Sequence, residues 1–122
     1  MLHNGISNSG NDAAKEGGEA ARAAYQQALP LYQEIGDILG EADCIRSLGE
    51  IALARSDHEA ALKSFDEALA LYERIQEPHS IGLTHARLAQ VVTGDVRARH
   101  LAAARSAWES INRPDLVALL EE

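Results

Sequence analysis

The sequence predicts an all-α fold, a short solenoid of about six helices arranged as antiparallel pairs. Of the 122 residues, 46% are apolar but only 4% are aromatic, and Ala and Leu, both strong helix formers, dominate the apolar set. The apolar residues recur at three- and four-residue steps, which gathers them on one helix face, and no segment alternates with the period of two typical of a strand. The same pattern also returns along the chain after forty residues. Together these observations predict helices that pack closely through small side chains.

The chain begins with a segment of different composition. Residues 1–11, MLHNGISNSGN, are rich in Gly, Ser and Asn and carry little that could be buried, so we expect a disordered leader. The first helix is predicted from about Asp12 to Ile35. Pro30 lies inside it and removes an internal hydrogen bond, which predicts a kink or a local break near residues 26–30.

Five more helices are predicted from residues in the remaining chain that typically start or end a helix. Asp57 is a candidate N-cap, because its carboxylate can accept hydrogen bonds from amides of a first turn. Pro114 can open a helix at no cost, since the first N–H of a helix has no internal partner. The predicted helices run from about Leu39 to Arg55, Asp57 to Ile75, His79 to Val92, Val96 to Ile111, and onward from Pro114.

An internal repeat relates these helices. A shift of forty residues superposes apolar positions of the first helix on those of the third and positions of the second on those of the fourth. The matching pairs are Tyr25 and Phe65, Ala28 and Ala68, Leu29 and Leu69, Leu31 and Leu71, Tyr32 and Tyr72, Ile35 and Ile75, Leu48 and Leu88, and Ile51 and Val91. Later the offset becomes thirty-six, which matches Tyr72 with Trp108 and Pro78 with Pro114. Fixed offsets of this kind are typical of repeat architectures.

The repeated residues resemble the tetratricopeptide repeat family, in its longer variety of about forty residues per unit. The resemblance is strongest over residues 39–76, where Leu48-Gly49 matches the middle of a unit's first helix and Ala61, Phe65 and Ala68 match the second. Gly40-Glu41-Ala42 matches the opening of a unit. The next unit retains Leu88-Ala89 and Ala104 but has Leu101 in place of the aromatic residue.

The resemblance implies a right-handed superhelix and a division of residues 12–122 into repeat units. By this division the chain holds a half unit at 12–36, a full unit at 39–76, a degenerate unit at 79–111 and a terminal helix at 114–122. A first helix that matches the second half of a unit leaves an apolar face uncovered. We therefore expect that an exposed stripe of Tyr25, Leu29 and Tyr32 is covered either by self-association or by a missing upstream partner segment.

The resemblance also implies where a partner binds, namely on the concave surface lined by the first helix of each unit. The corresponding residues are Asp43, Arg46 and Glu50 in one unit and Leu83, Arg87 and Gln90 in the next. They point away from the Leu48 and Leu88 packing stripes, and most are polar. The family's basic clamp for a C-terminal carboxylate is not reproduced, because Asp43 and Glu50 would repel it.

Residues that carry chemistry do not gather in the sequence. None of the five histidines lies four residues from another, and the single cysteine, Cys44, is expected to be a small buried residue. Ser56-Asp57-His58 reads as a turn, with His58 half-buried. We therefore predict no catalytic residue, no metal ligand and no cofactor site. An enzyme that uses His58 or His85 with nearby carboxylates remains the less favoured reading.

Charge and hydropathy restrict the partners and the location. The net charge of −8 disfavours nucleic acids and anionic membrane surfaces, which attract clusters of Lys and Arg. The local basic cluster of Arg97, Arg99, His100 and Arg105 is expected to form ion pairs with an adjacent helix, and Trp108 is expected to belong to the core. Without an apolar span or a secretory signal, the chain is predicted to be cytoplasmic.

These features predict a non-enzymatic protein-interaction or assembly module that binds a peptide or helix in its concave groove. The Ala- and Arg-rich units of about forty residues resemble those in the C-terminal arrays of large bacterial transcriptional regulators. The alternative is a sensor or regulatory domain that binds a small molecule or a signalling peptide in the same groove.

Overall fold

The computed structural model describes the backbone of residues 5–121 and the side chains of residues 18–121. This part of the chain is all α-helical, as predicted. Its helices are α1 Gly5–Ile35, α2 Ile38–Ala54, α3 His58–Arg74, α4 Pro78–Ala89, α5 Gly94–Ser110 and α6 Pro114–Leu119. The most extensive packing joins α2 to α3 and α4 to α5, and each remaining helix packs on its neighbour in sequence. The expected succession of helix pairs is therefore present.

The start of α1 differs from the prediction. The helix begins at Gly5, so residues 5–11 of the expected disordered leader are helical, whereas residues 1–4 lie outside the described residues. Extending an existing helix by a residue is far less costly than nucleating one. Composition alone therefore placed the boundary too late.

Pro30 does not interrupt α1, which is continuous from Gly5 to Ile35. The expected local break is thus absent. A proline at this position leaves the carbonyl of Gln26 without its helical donor. Both Gln26 and Pro30 are exposed, so water can hydrogen bond that carbonyl and the helix continues.

The end of α4 also differs, because the helix stops at Ala89 rather than at Val92. The amides of Gln90 and Val91 each bond back by three residues, which tightens the last turn and ends the α-helical register. The carbonyl of Ala89, left without a helical donor, accepts a hydrogen bond of 3.2 Å from Nε of Arg97. A side chain of the next helix therefore satisfies the carbonyl at this boundary.

The core consists of small residues around a few large rings. One cluster joins Ala42 and Ile45 of α2 to Ala68 and Tyr72 of α3. A second cluster joins Ala52, Ala61, Phe65 and Leu88. Both clusters cross from one helix to the next, so neighbouring helices are held together by shared apolar contacts.

Two predictions about single core residues are confirmed. Trp108 is 3% exposed, and its indole N–H donates a hydrogen bond of 3.0 Å to the carbonyl of His79. Cys44 is 4% exposed, and burial, followed by the nearby negative charge of Asp43, raises the pKa of its thiol. Within residues 5–121, no helix is both long enough and apolar enough to cross a membrane.

Candidate functional site: a charged network on two helices

The predicted partner-binding residues of α2 occupy one face of that helix. Asp43, Arg46 and Glu50 follow one another at three- and four-residue steps, which places them on adjacent turns. None of the three is fully buried. They are therefore available to other elements and to solvent.

Contacts from α3 and α4 join these three residues into one system, which we call the groove network: Asp43, Arg46, Glu50, Tyr72 and Arg87. The Arg46 guanidinium donates to Glu50 Oε2 at 2.5 Å and to the Tyr72 hydroxyl at 3.1 Å. The Tyr72 hydroxyl in turn donates to Asp43 Oδ1. Nε of Arg87 lies 3.6 Å from Glu50 Oε2. The network thus links α2, α3 and α4.

Charge is balanced within the groove network, because two guanidinium groups face two carboxylates. Burial, followed by the hydrogen bond to Asp43, raises the pKa of Tyr72 to about 12, against the opposing effect of Arg46. The side chains remain accessible to different degrees: 21% for Arg46, 31% for Arg87, 33% for Glu50 and 48% for Asp43. The network therefore presents ordered charges of both signs at the surface.

The remaining predicted residues, Leu83 and Gln90, lie beside the groove network in a pocket of about 300 Å³. Arg87 belongs to both, since it also lines this pocket. The other walls come from α4, α5 and the C-terminal segment, and among the described residues they include no carboxylate. These lining residues are His79, Ala86, Ala89, Arg97, Leu101, Trp108, Leu116, Leu119 and Leu120.

The comparison with known proteins identifies the family. The tetratricopeptide repeat model matches residues 5–92, which is more than half of the chain. The chain belongs to the tetratricopeptide repeat family. Proteins of this family generally mediate protein–protein interactions. No curated protein and no solved structure matches the chain.

The matched range of the tetratricopeptide repeat model ends after α4. The helices that follow, α5 and α6, lie outside the matched range, and α5 has Leu101 where the family pattern has an aromatic residue. They nevertheless continue the same packing, because α5 lies against α4 as α3 lies against α2. The pocket at Leu83 and Gln90 therefore lies between α4, which the family model matches, and α5 and α6, which it does not match.

The turn at Ser56-Asp57-His58 is a helix cap. The Asp57 carboxylate accepts a hydrogen bond of 3.2 Å from the amide of Ala60, as the sequence predicts. His58 is exposed, however, and not half-buried as expected. It opens α3 at the first helical position, where a side chain projects into solvent before the repeat core begins.

The members of the basic cluster predicted on α5 have separate partners. Arg105 pairs with Glu121 at 3.0 Å and with Glu109 at 4.0 Å, in part as expected. Arg97 instead bonds the Ala89 carbonyl, and His100 contacts another histidine. The cluster therefore does not form a continuous basic surface.

That other histidine is His85 of α4, and the pair was missed in the sequence. The Nδ1 atoms of His85 and His100 are 2.9 Å apart, and the ring centroids are separated by 5.1 Å with a tilt of 39°. The two residues lie fifteen positions apart on different helices, so no local motif marks them. Only the antiparallel pairing of α4 and α5 indicates that they could meet. Among the described residues, no group of three or more His, Cys, Asp or Glu side chains is placed to hold a metal ion.

Proposed function

We propose that this chain is a non-enzymatic interaction or assembly module that binds a peptide or helix of a partner protein across α2 and α4. The groove network carries this proposal. Its charges are already held in place by Tyr72 and by one another, so less side-chain entropy is lost when a partner docks.

The arrangement of charge and apolar surface supports an extended or helical peptide as the ligand. Positive and negative groups alternate along the network from Asp43 to Arg87, which gives a partner a defined register through complementary charges. The adjacent pocket offers apolar side chains of Leu83 and Leu101 for an anchoring residue. A peptide that spans both features would combine charge recognition with apolar burial.

A charge reversal within the groove tests this function. Peptides are selected from a displayed random library on the purified chain, and the affinity of each is measured by fluorescence anisotropy. We expect Arg87→Glu to weaken binding at least tenfold, because it places a third carboxylate beside Glu50 and in the pocket wall. Arg74→Glu is the matched control, since Arg74 is exposed in the last turn of α3 and lies outside the network.

Circular dichroism of both variants establishes that they are folded. Selected peptides that bind Arg87→Glu as tightly as the parent, or that lose affinity to Arg74→Glu, would place the interaction elsewhere on the molecule. The proposed setting is the cytoplasm, within a bacterial regulator, because the chain resembles the repeat arrays of such proteins.

A sensor function is the second candidate, and the pocket beside α4 favours it. Its volume of about 300 Å³ is at the lower end of the range for small-molecule sites. Trp108 is the only tryptophan in the chain and lines this pocket, so its fluorescence reports occupancy directly. A ligand screen that shifts this fluorescence in the parent, but not in Leu83→Arg, would support a small-molecule ligand.

A further inference from the structure

Two hydrogen bonds hold together the walls of the pocket between α4 and α5, one at each end. Nε of Arg97 donates to the carbonyl of Ala89 at 3.2 Å, and the indole N–H of Trp108 donates to the carbonyl of His79 at 3.0 Å. All four residues line the pocket. The walls are therefore held in place without a ligand, and a pre-formed cavity of this kind is typical of small-molecule sites.

The two ends of this pocket differ in chemistry. Arg87, Gln90 and Arg97 lie where α4 finishes and α5 begins, so this end is polar and cationic. The ion pair of Arg105 with Glu121 at 3.0 Å places the C-terminal segment beside the second half of α5, away from Arg97. The apolar wall that this segment contributes consists of Leu116, Leu119 and Leu120.

Charge favours an anion at the cationic end. Two guanidinium groups line it, and the pocket residues that the structure describes include no carboxylate. Arg87 shares Glu50 with Arg46, whereas none of the ion pairs among residues 18–121 involves Arg97. A guanidinium forms strong, charge-assisted hydrogen bonds with a carboxylate. Because the chain as a whole carries a net charge of −8, this local site suits a single negative charge and not a polyanion.

The length of the pocket favours an alkyl chain as the apolar part of the ligand. Arg87 and His79 are separated by about two turns of α4, or about 12 Å, and Leu83 lies between them on the same helix face. The extended chain of decanoate, with carbon–carbon bonds of about 1.5 Å, is about 11 Å long. A chain of this length can lie along Leu83 and Leu101 while its carboxylate reaches the arginines.

We propose that this pocket binds a monoanionic amphiphile, namely a carboxylate on a single alkyl chain about as long as that of decanoate. The inference rests on the sensor function proposed above for the pocket and names the class of its ligand. The carboxylate accepts hydrogen bonds from the guanidinium groups of Arg87 and Arg97. The alkyl chain packs between Leu83 and Leu101 and against the leucines of the C-terminal segment. The bound ligand therefore joins α4 to the end of the described chain.

Binding is measured by titrating the fluorescence of Trp108, which lines the pocket, and calorimetry gives the stoichiometry. The probes are decanoate, its neutral analogue decanol and its cationic analogue decyltrimethylammonium, each below the concentration at which it forms micelles. The head-group variant is Arg97→Gln, and its matched control is Arg99→Gln, an exposed residue of the same helix outside the pocket. The tail variant is Leu119→Asp. Its control is Leu31→Asp on α1, since the two leucines are similarly exposed, at 57% and 62%.

We expect one decanoate per chain, bound roughly tenfold or more tightly than decanol, because only decanoate gains charge-assisted hydrogen bonds. Decyltrimethylammonium should bind most weakly. Arg97→Gln should reduce the affinity for decanoate roughly tenfold and leave that for decanol unchanged. Leu119→Asp should weaken the binding of decanoate and decanol, because it places a charge against the alkyl chain. Neither control should change either affinity.

Circular dichroism establishes that the variants are folded. If Arg97→Gln does not fold, because its bond to the Ala89 carbonyl is lost, the comparison of decanoate with decanol in the parent and in Leu119→Asp decides.

Three results would overturn this inference. Equal affinity for decanoate and decanol would do so and would leave the sensor function in place. No response of Trp108 to any of the three probes would also do so, and the wider ligand screen would then decide the sensor function. Decanoate binding that is unchanged in both Arg97→Gln and Leu119→Asp would place the ligand elsewhere. The peptide function is tested separately, since neither residue belongs to the groove network.

Discussion

Single glycines determine how closely the aromatic rings approach the neighbouring helices. A Cβ atom built at Gly82 would lie 2.3 Å from Nε1 of Trp108, and one at Gly40 would lie 2.4 Å from Cδ1 of Tyr32. Gly82 corresponds to Ala42 at the forty-residue offset, and Trp108 corresponds to Tyr72 at the offset of thirty-six. The larger ring therefore faces the smaller residue, and the total volume at this repeat position is conserved.

We expect Gly82→Ala to reduce the free energy of unfolding by about 1–3 kcal/mol, because the buried indole must move to admit the methyl group. Urea unfolding, followed by circular dichroism and by Trp108 fluorescence, measures the change. Gly18→Ala is the control, since Gly18 is helical with no atom near its Cβ position, and alanine there should stabilise the helix by about 0.5–1 kcal/mol. Equal stability of Gly82→Ala and the parent would show that the ring is loosely packed.

Tyr72 is the residue on which the groove network depends most. Its hydroxyl bonds both Asp43 and Arg46, so Tyr72→Phe should cost about 1 kcal/mol. Its pKa in the folded chain is about 12, above the value of about 10 for a free tyrosine. The unfolded chain therefore loses this proton first as the pH rises, and stability should fall between about pH 10 and pH 12.

Absorbance at alkaline pH tests the ionisation of Tyr72 directly. One of the three tyrosines should ionise near pH 12 in the parent, and this step should vanish in Tyr72→Phe. The alkaline loss of stability attributable to Tyr72 should vanish with it. A parent protein whose tyrosines all ionise near pH 10 would contradict the hydrogen bonding described for this ring.

At the scale of the elements, four helices end in the same way. After α1, α2, α3 and α5, one residue adopts a positive φ, and the next amide bonds back to a carbonyl five residues earlier. The four residues are Gly36, Ser56, Gln76 and Asn112, with φ of 77°, 63°, 53° and 56°. Such ends satisfy carbonyl groups that the helix leaves without donors. Only the first of them uses glycine, the residue best suited to this conformation.

Gly36→Ala should therefore destabilise the fold by about 1 kcal/mol, because the side chain is placed in a left-handed conformation. Nothing lies within 4 Å of its Cβ position, so the cost is conformational rather than steric. Gln76→Gly should have the opposite effect at an equivalent turn. Thermal unfolding compares the two variants with Gly18→Ala. Destabilisation by Gln76→Gly would mean that the Gln76 side chain contributes more than its backbone strain costs.

Local chemistry in the sequence predicted most helix boundaries. The caps at Asp57 and Pro114 and the glycine at Gly36 act over one turn, so they can be read from neighbouring residues. The end of α4 could not be predicted, because the Ala89 carbonyl is bonded by Arg97 from the next helix. The start of α1 could not be predicted either, since cooperative extension carries it through residues of low helix propensity.

At the scale of the whole molecule, the sequence predicted that most residues of the candidate site share one surface. It did not predict the contacts that connect them. The spacing of Asp43, Arg46 and Glu50 followed from helix periodicity. Tyr72 bridges Asp43 and Arg46 because of the orientation of α3 about its axis relative to α2. Helix periodicity does not determine that orientation. The contact of His85 with His100 depends likewise on the register of α4 against α5. Relations within a helix were therefore predictable, whereas relations between helices required the structure.

The expected stripe for self-association must be corrected on the same grounds. Tyr25, Leu29 and Tyr32 are half-buried, because Tyr32 packs on Gly40 and Leu29 packs on the first core cluster. The large apolar residues exposed near the junction of α1 and α2 are instead Leu31 at 62%, Ile35 at 73% and Leu39 at 45%. Self-association remains a proposal, and these three residues now carry it.

We expect the chain to associate at tens of micromolar, and we expect Leu31→Glu with Ile35→Glu to make it monomeric. The net charge of −8 opposes association, so raising the salt concentration should strengthen it through screening. Sedimentation velocity over a range of concentrations measures both effects. Val96→Glu is the control, because Val96 is also exposed, at 41%, but lies on α5. A parent that stays strictly monomeric at high salt would contradict self-association. If Val96→Glu reduced association as much as the α1 variant does, the interface would include α5 and not the junction of α1 and α2.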